Sequence, residues 1–473
     1  MAKIARESRL AALTVAGALF MEGFDSSMIL TSLPRMAQDL GGTPISLSIA
    51  VTAYLLALAI FIPVSGWIAD NFGARRVYCA AIIVFVIGSM ACGLAPTVPL
   101  LVAGRFVQGI GGAMMQPIGR LILARSADKR DLISLMNYTI IPGLVGPSLG
   151  PVVGGFISAY ANWRWNFFIN LPIGLIGLVM TFRYIKPSPP IESTRFDWAG
   201  FLLVGSAASA LTLAFETSRD GLRGLLSAAP WAASAVALTG AYVVYARRRP
   251  NAVMDLRLFK VRCFRISVLF GSMARSGVFT TQFLLPALLQ LVFKFDAFRA
   301  GLLTFLVAAG TIAMRPVMNV LLKTFGFRTV LTGACVLSAL MLAGFCLFKP
   351  PAVIGLLAAY IFVYGLVRTV VFSSLGGLAL ADIEPADMGR SNSVAIFAQR
   401  MSMSLGVSLA AASLSFASGG GPLDHGDFIG AFLFAAGLTF TAGLLMLQLR
   451  PDDGWRVSGY GGDGGREAEE AAL

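Results

Sequence analysis

Apolar residues along the chain gather into runs of about twenty, near 9–33, 47–68, 77–95, 98–123, 134–159 and 166–185, each closed by glycine, proline or a cluster of charge. At 1.5 Å per residue a helix of about twenty residues covers the roughly 30 Å hydrocarbon core of a bilayer. A polar linker, Lys186 to Asp197, leads to two more runs at 198–216 and 229–246. A basic connector, Arg247 to Arg265, then precedes runs at 266–292, 299–322, 329–348, 351–381, 392–416 and 427–449. The pattern of six, two and six predicts an all-α membrane protein of 14 transmembrane helices. One six-helix bundle occupies 1–185, two extra helices and the connector occupy 186–264, and a second six-helix bundle occupies 265–450. The tail over 451–473 is rich in Gly, Asp and Glu without apolar periodicity, which predicts disorder.

Of 473 residues 57% are hydrophobic and only 13% charged, about half the charged fraction of soluble domains, so a soluble enzyme is excluded. The net charge of +13 would suggest nucleic acid in a soluble chain; here it encodes topology. Basic residues concentrate in alternate loops: Lys3, Arg6 and Arg9; Arg75 and Arg76; Arg125, Lys129 and Arg130; and the connector from Arg247 to Arg265. The positive-inside rule places those loops, and both termini, in the cytoplasm. The first apolar run continues through Glu22 and Asp25 to Leu33, longer than a secretory signal, and reads as a retained helix. The five cysteines show no CxxC spacing and read as small apolar packers, so no metal site and no cofactor is expected.

Charge inside the apolar runs changes the picture further. Arg275, Arg315, Arg368 and Arg400 lie in runs that contain no carboxylate. An arginine at mid-membrane costs about 3 kcal/mol on insertion scales, which is tolerated where the side chain faces protein or a water-filled cavity. Helical spacing groups Arg275 with Ser272 and Gln282, Arg315 with Thr311, Asn319 and Lys323, Arg368 with Tyr360 and Tyr364, and Arg400 with Phe397 and Ser404. Arg275, Gln282, Tyr364, Arg368, Arg400 and Arg315 are therefore the candidate substrate-binding residues. In the first half Arg105 and Arg120 add two more cations, against Glu22 and Asp25 one helical turn apart on the first helix. The excess of buried positive charge points to an anionic or chelate-type small-molecule substrate.

The two groups of six look like a repeat, since Gly73 and Arg75 between the second and third helices are echoed at the same spacing by Gly326 and Arg328. Parallel repeats around a midplane site are a transporter architecture. The loop Gly66-x-x-x-Asp70-x-x-Gly73-x-Arg75-Arg76 resembles a signature of the major facilitator superfamily. There the glycines permit close approach or positive φ, and the Asp and Arg meet helix termini or pair in one state and release in another. Gly146-x-x-x-Gly150-Pro151-x-x-Gly154-Gly155 on the fifth helix resembles the antiporter signature of the same superfamily, with small residues that let helices touch backbone to backbone. Arg105-Phe-Val-Gln108-Gly109-Ile-Gly111-Gly112 resembles its fourth-helix motif. Trp163-Arg-Trp-Asn-Phe-Phe-Ile-Asn-Leu-Pro-Ile-Gly174 resembles the hallmark of its 14-helix branch, the drug:proton antiporter-2 family. Two departures stand in the first helix, where Leu30 occupies the usual Asn position and Glu22 is added.

The resemblance implies the major facilitator fold and a proton-coupled antiporter exporting small molecules across the bacterial plasma membrane by alternating access. Its partners would be substrate, protons and the lipid bilayer, with no nucleic acid, and the chain would act as a monomer. Proton coupling needs a membrane carboxylate tuned by burial and a nearby cation, and Asp25, Glu22 and Arg105 are the candidates. The loop and fifth-helix glycines, Asp70, Arg75, Arg76 and Pro151 would serve conformational switching. The resemblance alone suggests amphiphilic cations, in disagreement with the local charge. A non-transporting receptor or scaffold on the same fold is the alternative, and it would need neither Asp25 nor the buried arginines. Gly146-x-Ser148-x-Gly150 has the spacing of a hydrolase elbow, but the single histidine, His425, lies in a loop and Ser148 in a membrane helix.

Overall fold

The structure, a computed structural model, describes residues 6–126, 132–187, 196–218, 221–249, 252–351, 353–384, 387–419, 421 and 423–460. Lys3, Lys129 and Arg130 of the topology argument, residues 188–195 of the linker and 461–473 of the tail lie outside them. The chain runs through α1 (Arg6–Leu40), α2 (Pro44–Phe72), α3 (Ala74–Leu94), α4 (Val98–Ser126), α5 (Leu132–Tyr160), the single turn α6 (Trp165–Phe168) and α7 (Asn170–Tyr184). It continues through α8 (Trp198–Thr217), α9 (Gly221–Arg247), α10 (Arg262–Phe279), α11 (Thr281–Ala287), α12 (Ala297–Gly344), α13 (Ile354–Ala381), α14 (Met388–Ser418), α15 (His425–Met446) and the short α16 (Trp455–Ser458). Among the described residues, 11 helical stretches are long and apolar enough to cross a membrane. One of them, Ala297–Leu347, is 51 residues long and is broken at Gly326, whose φ of 69° and ψ of 168° are not helical.

Two compact units emerge: residues up to Phe201 together with Lys294–Phe305, and Leu202–Phe293 together with Leu306 onward. The first unit is built on glycine. Along α5, a Cβ on Gly146 would lie 2.6 Å from the Phe20 carbonyl, one on Gly150 2.7 Å from the Phe24 carbonyl, and one on Gly154 2.6 Å from the Met28 carbonyl. The four-residue spacing thus zips α5 onto α1 backbone to backbone, the packing that small residues allow where apolar side chains gain nothing by leaving lipid. The fourth helix uses the same device on two faces: Gly109 lets it approach the Tyr54 carbonyl of α2, and Gly111 the Ala81 carbonyl of α3, each 2.6 Å from an added Cβ. Thr43 caps α2 in a reciprocal capping box with Ser46, and Pro44 opens the helix.

In the second unit the run 266–292 is not one regular α-helix; α10 runs through Thr280, whose φ of −51° and ψ of −34° stay helical, into α11 and then into a π-helical turn over Leu288–Val292. Gly310 of α12 and Gly365 of α13 face each other's backbones, and Gly406 of α14 meets the Ser276 carbonyl of α10. The inserted helices differ from each other. The start of α8 sits in an aromatic cluster in which Trp198 and Phe196 meet Trp67, and near its end Glu216 accepts a hydrogen bond from the buried Ser408 at 3.1 Å. By contrast α9 exposes Leu225, Leu226, Val236 and Val244, a surface suited to lipid.

The expected disorder of 451–473 does not extend over 451–460, where turns lead into α16. Positive φ at Gly454 (78°) and Gly459 (71°) turns the chain back on itself. That places Gly454 against Phe327 and Ala381, and the Tyr460 ring over Gly326. Local composition concealed this because the residues that receive the segment lie between 73 and 134 positions upstream.

Candidate functional site

In the first unit the carboxylate–arginine pair expected from the sequence is formed. Arg105 Nη1 on α4 donates to Asp25 Oδ2 on α1 at 2.6 Å, and the two side chains are 0% and 2% exposed. The same nitrogen donates to Gln108 Oε1, one turn along α4, at 2.7 Å. The other Asp25 oxygen, Oδ1, accepts from Asn170 Nδ2 at 2.7 Å. Asn170 opens α7 and also donates to Ser89 Oγ on α3 at 2.9 Å, while Ser89 donates to the Phe167 carbonyl. Charge-assisted bonds of this kind are about twice as strong as neutral ones; here two of them tie α4 and α7 to the α1 carboxylate, and the neutral Asn170–Ser89 bond adds α3.

Glu22 joins the same cluster from the other side of the guanidinium. The Tyr54 ring lies 4.1 Å from Arg105 Cζ, a cation–π contact, and its hydroxyl donates to Glu22 Oε1 at 3.3 Å. Gly112 leaves the room for this: a Cβ there would be 3.1 Å from the Tyr54 hydroxyl and 3.5 Å from Glu22 Cγ. Arg105 keeps two buried donors, Nε and Nη2, without partners, so its guanidinium has capacity for another acceptor. The arrangement holds one buried cation between two carboxylates, one bonded directly and one through a phenol.

Four members of this cluster, Tyr54, Ser89, Gln108 and Asn170, carry no role from the sequence. Tyr54 and Ser89 lie in largely apolar stretches of sequence that hide them. Asn170 belongs to the hallmark run that ends at Gly174, where nothing in the motif itself assigns it a partner, although Asn166 and Asn170 repeat at helical spacing on one face. Asn166 donates to Ser32 Oγ at 2.6 Å, so this face fastens α1 at two levels. Nearby, Trp163 Nε1 donates to Asp39 Oδ2 at 2.7 Å and Arg164 lies 3.6 Å from the same oxygen.

The switching residues divide. Gly73 ends α2 with φ of 85°, and Arg75 Nη2 donates to the Phe182 carbonyl in the last turn of α7 at 2.7 Å, with its Cζ 5.3 Å from the Phe182 ring. Arg75 thus meets a helix C-terminus, where positive charge is favourable. Gly66 is a correction: it is exposed within α2 with nothing within 4 Å of an added Cβ, so close approach does not explain it. Arg76 is exposed and Asp70 half-buried. Of the fifth-helix set, Gly146, Gly150 and Gly154 contact α1. Gly155 lies against Ala297, and Pro151 presents its carbonyl to Gly301, both within the first unit.

The candidate substrate residues of the second unit also divide. Arg275 on α10 is 2% exposed, and its Nε has no hydrogen-bond partner. Arg368 on α13 is half-buried, with Cζ 5.7 Å from the Phe279 ring and 5.3 Å from the Phe372 ring. In the amide orientation that satisfies both groups, Gln282 Oε1 accepts from Arg368 Nη1 at 3.0 Å and Nη2 at 2.7 Å. Among the described residues neither Arg275 nor Arg368 has an ion pair. Tyr364 is wholly buried, its hydroxyl engaged with Thr281 at 2.7 Å and the Val278 carbonyl at 3.0 Å. Its place is in the packing that positions Arg368 one turn away. Arg315 is exposed, as are Asn319 and Lys323 of the same stripe, and Arg400 is half-buried. Glu216, from α8, brings a carboxylate to Ser408 on α14 within the second unit.

Comparison with known proteins agrees with this architecture. The profile of the Major Facilitator Superfamily matches residues 15–407. Proteins named "Putative multidrug resistance protein MdtD" from Salmonella heidelberg (strain SL476) and Salmonella typhi are each 35% identical over 404 residues, covering 84% of this chain and 84% of theirs. Among solved structures, the nucleoside transporter NupG superposes with a TM-score of 0.64 at 15% identity, covering 94% of this chain and 100% of that one. The D-xylose–proton symporter gives 0.66 at 16% identity, covering 94% and 98%, and the POT family transporter PepTSo gives 0.67 at 15%, covering 94% and 97%. At such identities these structures establish the fold alone. The glycine-packed helices, the membrane-length spans and the profile match have one meaning: the chain is a multi-pass membrane protein of the Major Facilitator Superfamily, a secondary transporter and not an enzyme.

Proposed function

We propose that this protein is a proton-coupled antiporter that exports amphiphilic small molecules across the bacterial inner membrane by alternating access, as the multidrug-resistance name of its relatives suggests. The reading includes 14 spans. The 11 stretches become 12 when the 51-residue one is divided at Gly326, and α5 and the α10–α11 segment supply two more. Both termini face the cytoplasm, since the basic loops then all lie on that side. The domains would be 1–185, 186–264 and 265–450.

The observation that carries the coupling is the buried Asp25–Arg105 pair with Glu22 held beside it through Tyr54. Protonating Asp25 removes the charge that Arg105 answers, and Arg105 then turns its attraction toward Glu22 across the Tyr54 ring. A shift of this kind changes how tightly α4 is held to α1, the two helices that carry the pair. Gln108 and Asn170 orient the partners and move no proton themselves. Reconstituted vesicles with an imposed pH gradient test the reading: wild type should accumulate an amphiphilic dye against its gradient with counter-flow of protons, and Asp25→Asn should insert and fold yet exchange nothing. A folded Asp25→Asn protein with unchanged gradient-driven flux would mean that the pair is a static fastener.

A further inference from the structure

The second unit holds two guanidinium groups whose charge the described fold does not answer. In the first unit Arg105 receives a carboxylate, an amide oxygen and an aromatic face. Arg275 is as deeply buried, at 2% exposure, but has no carboxylate partner and an orphaned Nε. Among the described residues Arg368 receives only the Gln282 amide oxygen and two rings. Withdrawing an unpaired cation from water costs several kcal/mol even after relaxation. Apolar residues would fill the same volume without that cost, so packing alone gives no reason for two arginines here.

Their placement is that of a recognition site. Arg275, Phe279 and Gln282 follow i, i+4, i+7 along α10 and α11 and therefore share one face. Arg368 on α13 lies over the upper part of that face, against Phe279 and Gln282. Tyr364, one turn before Arg368, pins α13 to the Val278 carbonyl and to Thr281, which fixes the level at which the guanidinium is presented. A guanidinium offers five N–H donors in a planar fork. Gln282 engages Nη1 and Nη2 and so orients the fork while leaving donors over. Phe279 and Phe372 supply apolar faces at its sides.

We propose that Arg275 and Arg368 form the binding site for an amphiphilic aromatic anion, its carboxylate or like oxyanion held by the two guanidinium groups and its ring laid on Phe279 and Phe372. The proposal rests on the reading of the chain as a small-molecule exporter and names the class of its cargo. An oxyanion suits the site better than chloride or water because it accepts two parallel N–H bonds from one fork. An anionic lipid headgroup shares that chemistry and is separated from cargo by the experiment.

The test is equilibrium binding of pyrenebutyrate to the purified full-length protein in phosphatidylcholine nanodiscs, with no gradient present. Wild type is expected to bind it saturably and to prefer it to pyrenemethylammonium. Arg275→Gln and Arg368→Gln should each weaken binding at least tenfold, about 1.4 kcal/mol, in protein that remains monodisperse. Where a Gln variant aggregates, the Lys variant at that position keeps the charge and loses the fork, and should weaken binding at least threefold. Equal binding by wild type and variants, or preference for the cationic probe, overturns the proposal. Loss of pyrenebutyrate binding when phosphatidylglycerol is added to wild-type discs overturns the cargo assignment in favour of a lipid site. Because binding is read without a gradient, vesicles that bind the probe normally yet exchange no protons count against coupling and leave this site standing.

Discussion

Asp25 and Arg105 face each other across α1 and α4 at 2.6 Å with neither side chain more than 2% exposed, and the carboxylate's second oxygen is taken by Asn170 from α7. The pair is therefore a fastener of three helices, and Glu22 is linked to it through Tyr54. Removing one partner of a buried pair is expected to cost about 3–5 kcal/mol, because the other charge is left unanswered. Arg105→Gln should accordingly lower the melting temperature in detergent sharply. The double variant Asp25→Asn/Arg105→Gln should recover most of that loss while remaining inactive in pH-gradient-driven flux. Recovery of flux along with stability would remove the pair from the coupling mechanism.

Tyr54 is expected to matter through Glu22. Tyr54→Phe removes one hydroxyl, keeps the ring over Arg105, and abolishes the bond to Glu22 Oε1. It should reduce gradient-driven flux about as much as Glu22→Gln, less than Asp25→Asn, with a change in stability of about 1 kcal/mol. Flux equal to wild type in both Tyr54→Phe and Glu22→Gln would restrict coupling to Asp25.

Glycine substitutions separate the motif positions by physics. Gly150→Ala drives a methyl into Ser27 and the Phe24 carbonyl and should cost about 1–3 kcal/mol as an overpacked contact. Gly73→Ala carries a Cβ at φ of 85°, a strain of roughly 1–2 kcal/mol. Gly66→Ala meets nothing within 4 Å inside a helix and should be neutral or stabilising by about 0.5–1 kcal/mol. Melting temperatures of the three variants check the order, and a Gly66→Ala protein as unstable as Gly150→Ala would contradict the packing described.

The apolar runs and the close backbone packing of α5 were legible because hydrophobic length and four-residue glycine spacing are local signals, but that α1 is the helix α5 meets is shown only by the structure. Asp25 and Arg105 were legible for a related reason: an ion in an apolar run demands a partner, and the first half offers few. Asn170, Ser89 and Tyr54 were not, since a polar residue small enough to be tolerated in lipid gives no sign of which distant helix it serves. Arg315 shows the opposite failure. Its stripe of Thr311, Asn319 and Lys323 has helical spacing, yet spacing tells which residues share a face and not which way the face turns. The π turn over Leu288–Val292 was equally hidden, because the apolar residues Leu288, Leu289, Leu291 and Val292 read like a further helical turn.

The C-terminal segment offers a pH-dependent contact outside the membrane. Asp453 lies 3.6 Å from Arg262 Nε and accepts from the Arg450 N–H at 2.7 Å, while Gly454 and Tyr460 hold the segment to Phe327 and Gly326. Burial raises the Asp453 carboxyl above its ordinary 3.8, the Arg450 N–H and the Arg262 guanidinium oppose the rise, and Asp452 and Asp382 add to it. Cys263 completes the group of side chains around it. A carboxyl that holds its proton more tightly when docked contributes stability that is full below the undocked value and is lost as pH rises through the docked one. Docking should therefore be tighter near pH 4 than near pH 7, and Asp453→Asn, which imitates the protonated form, should flatten the dependence. Hydrogen exchange over 450–460, corrected for the intrinsic effect of pH, measures this. Release of the segment on acidification instead would mean that the Arg262 ion pair, and not the burial of Asp453, governs the contact.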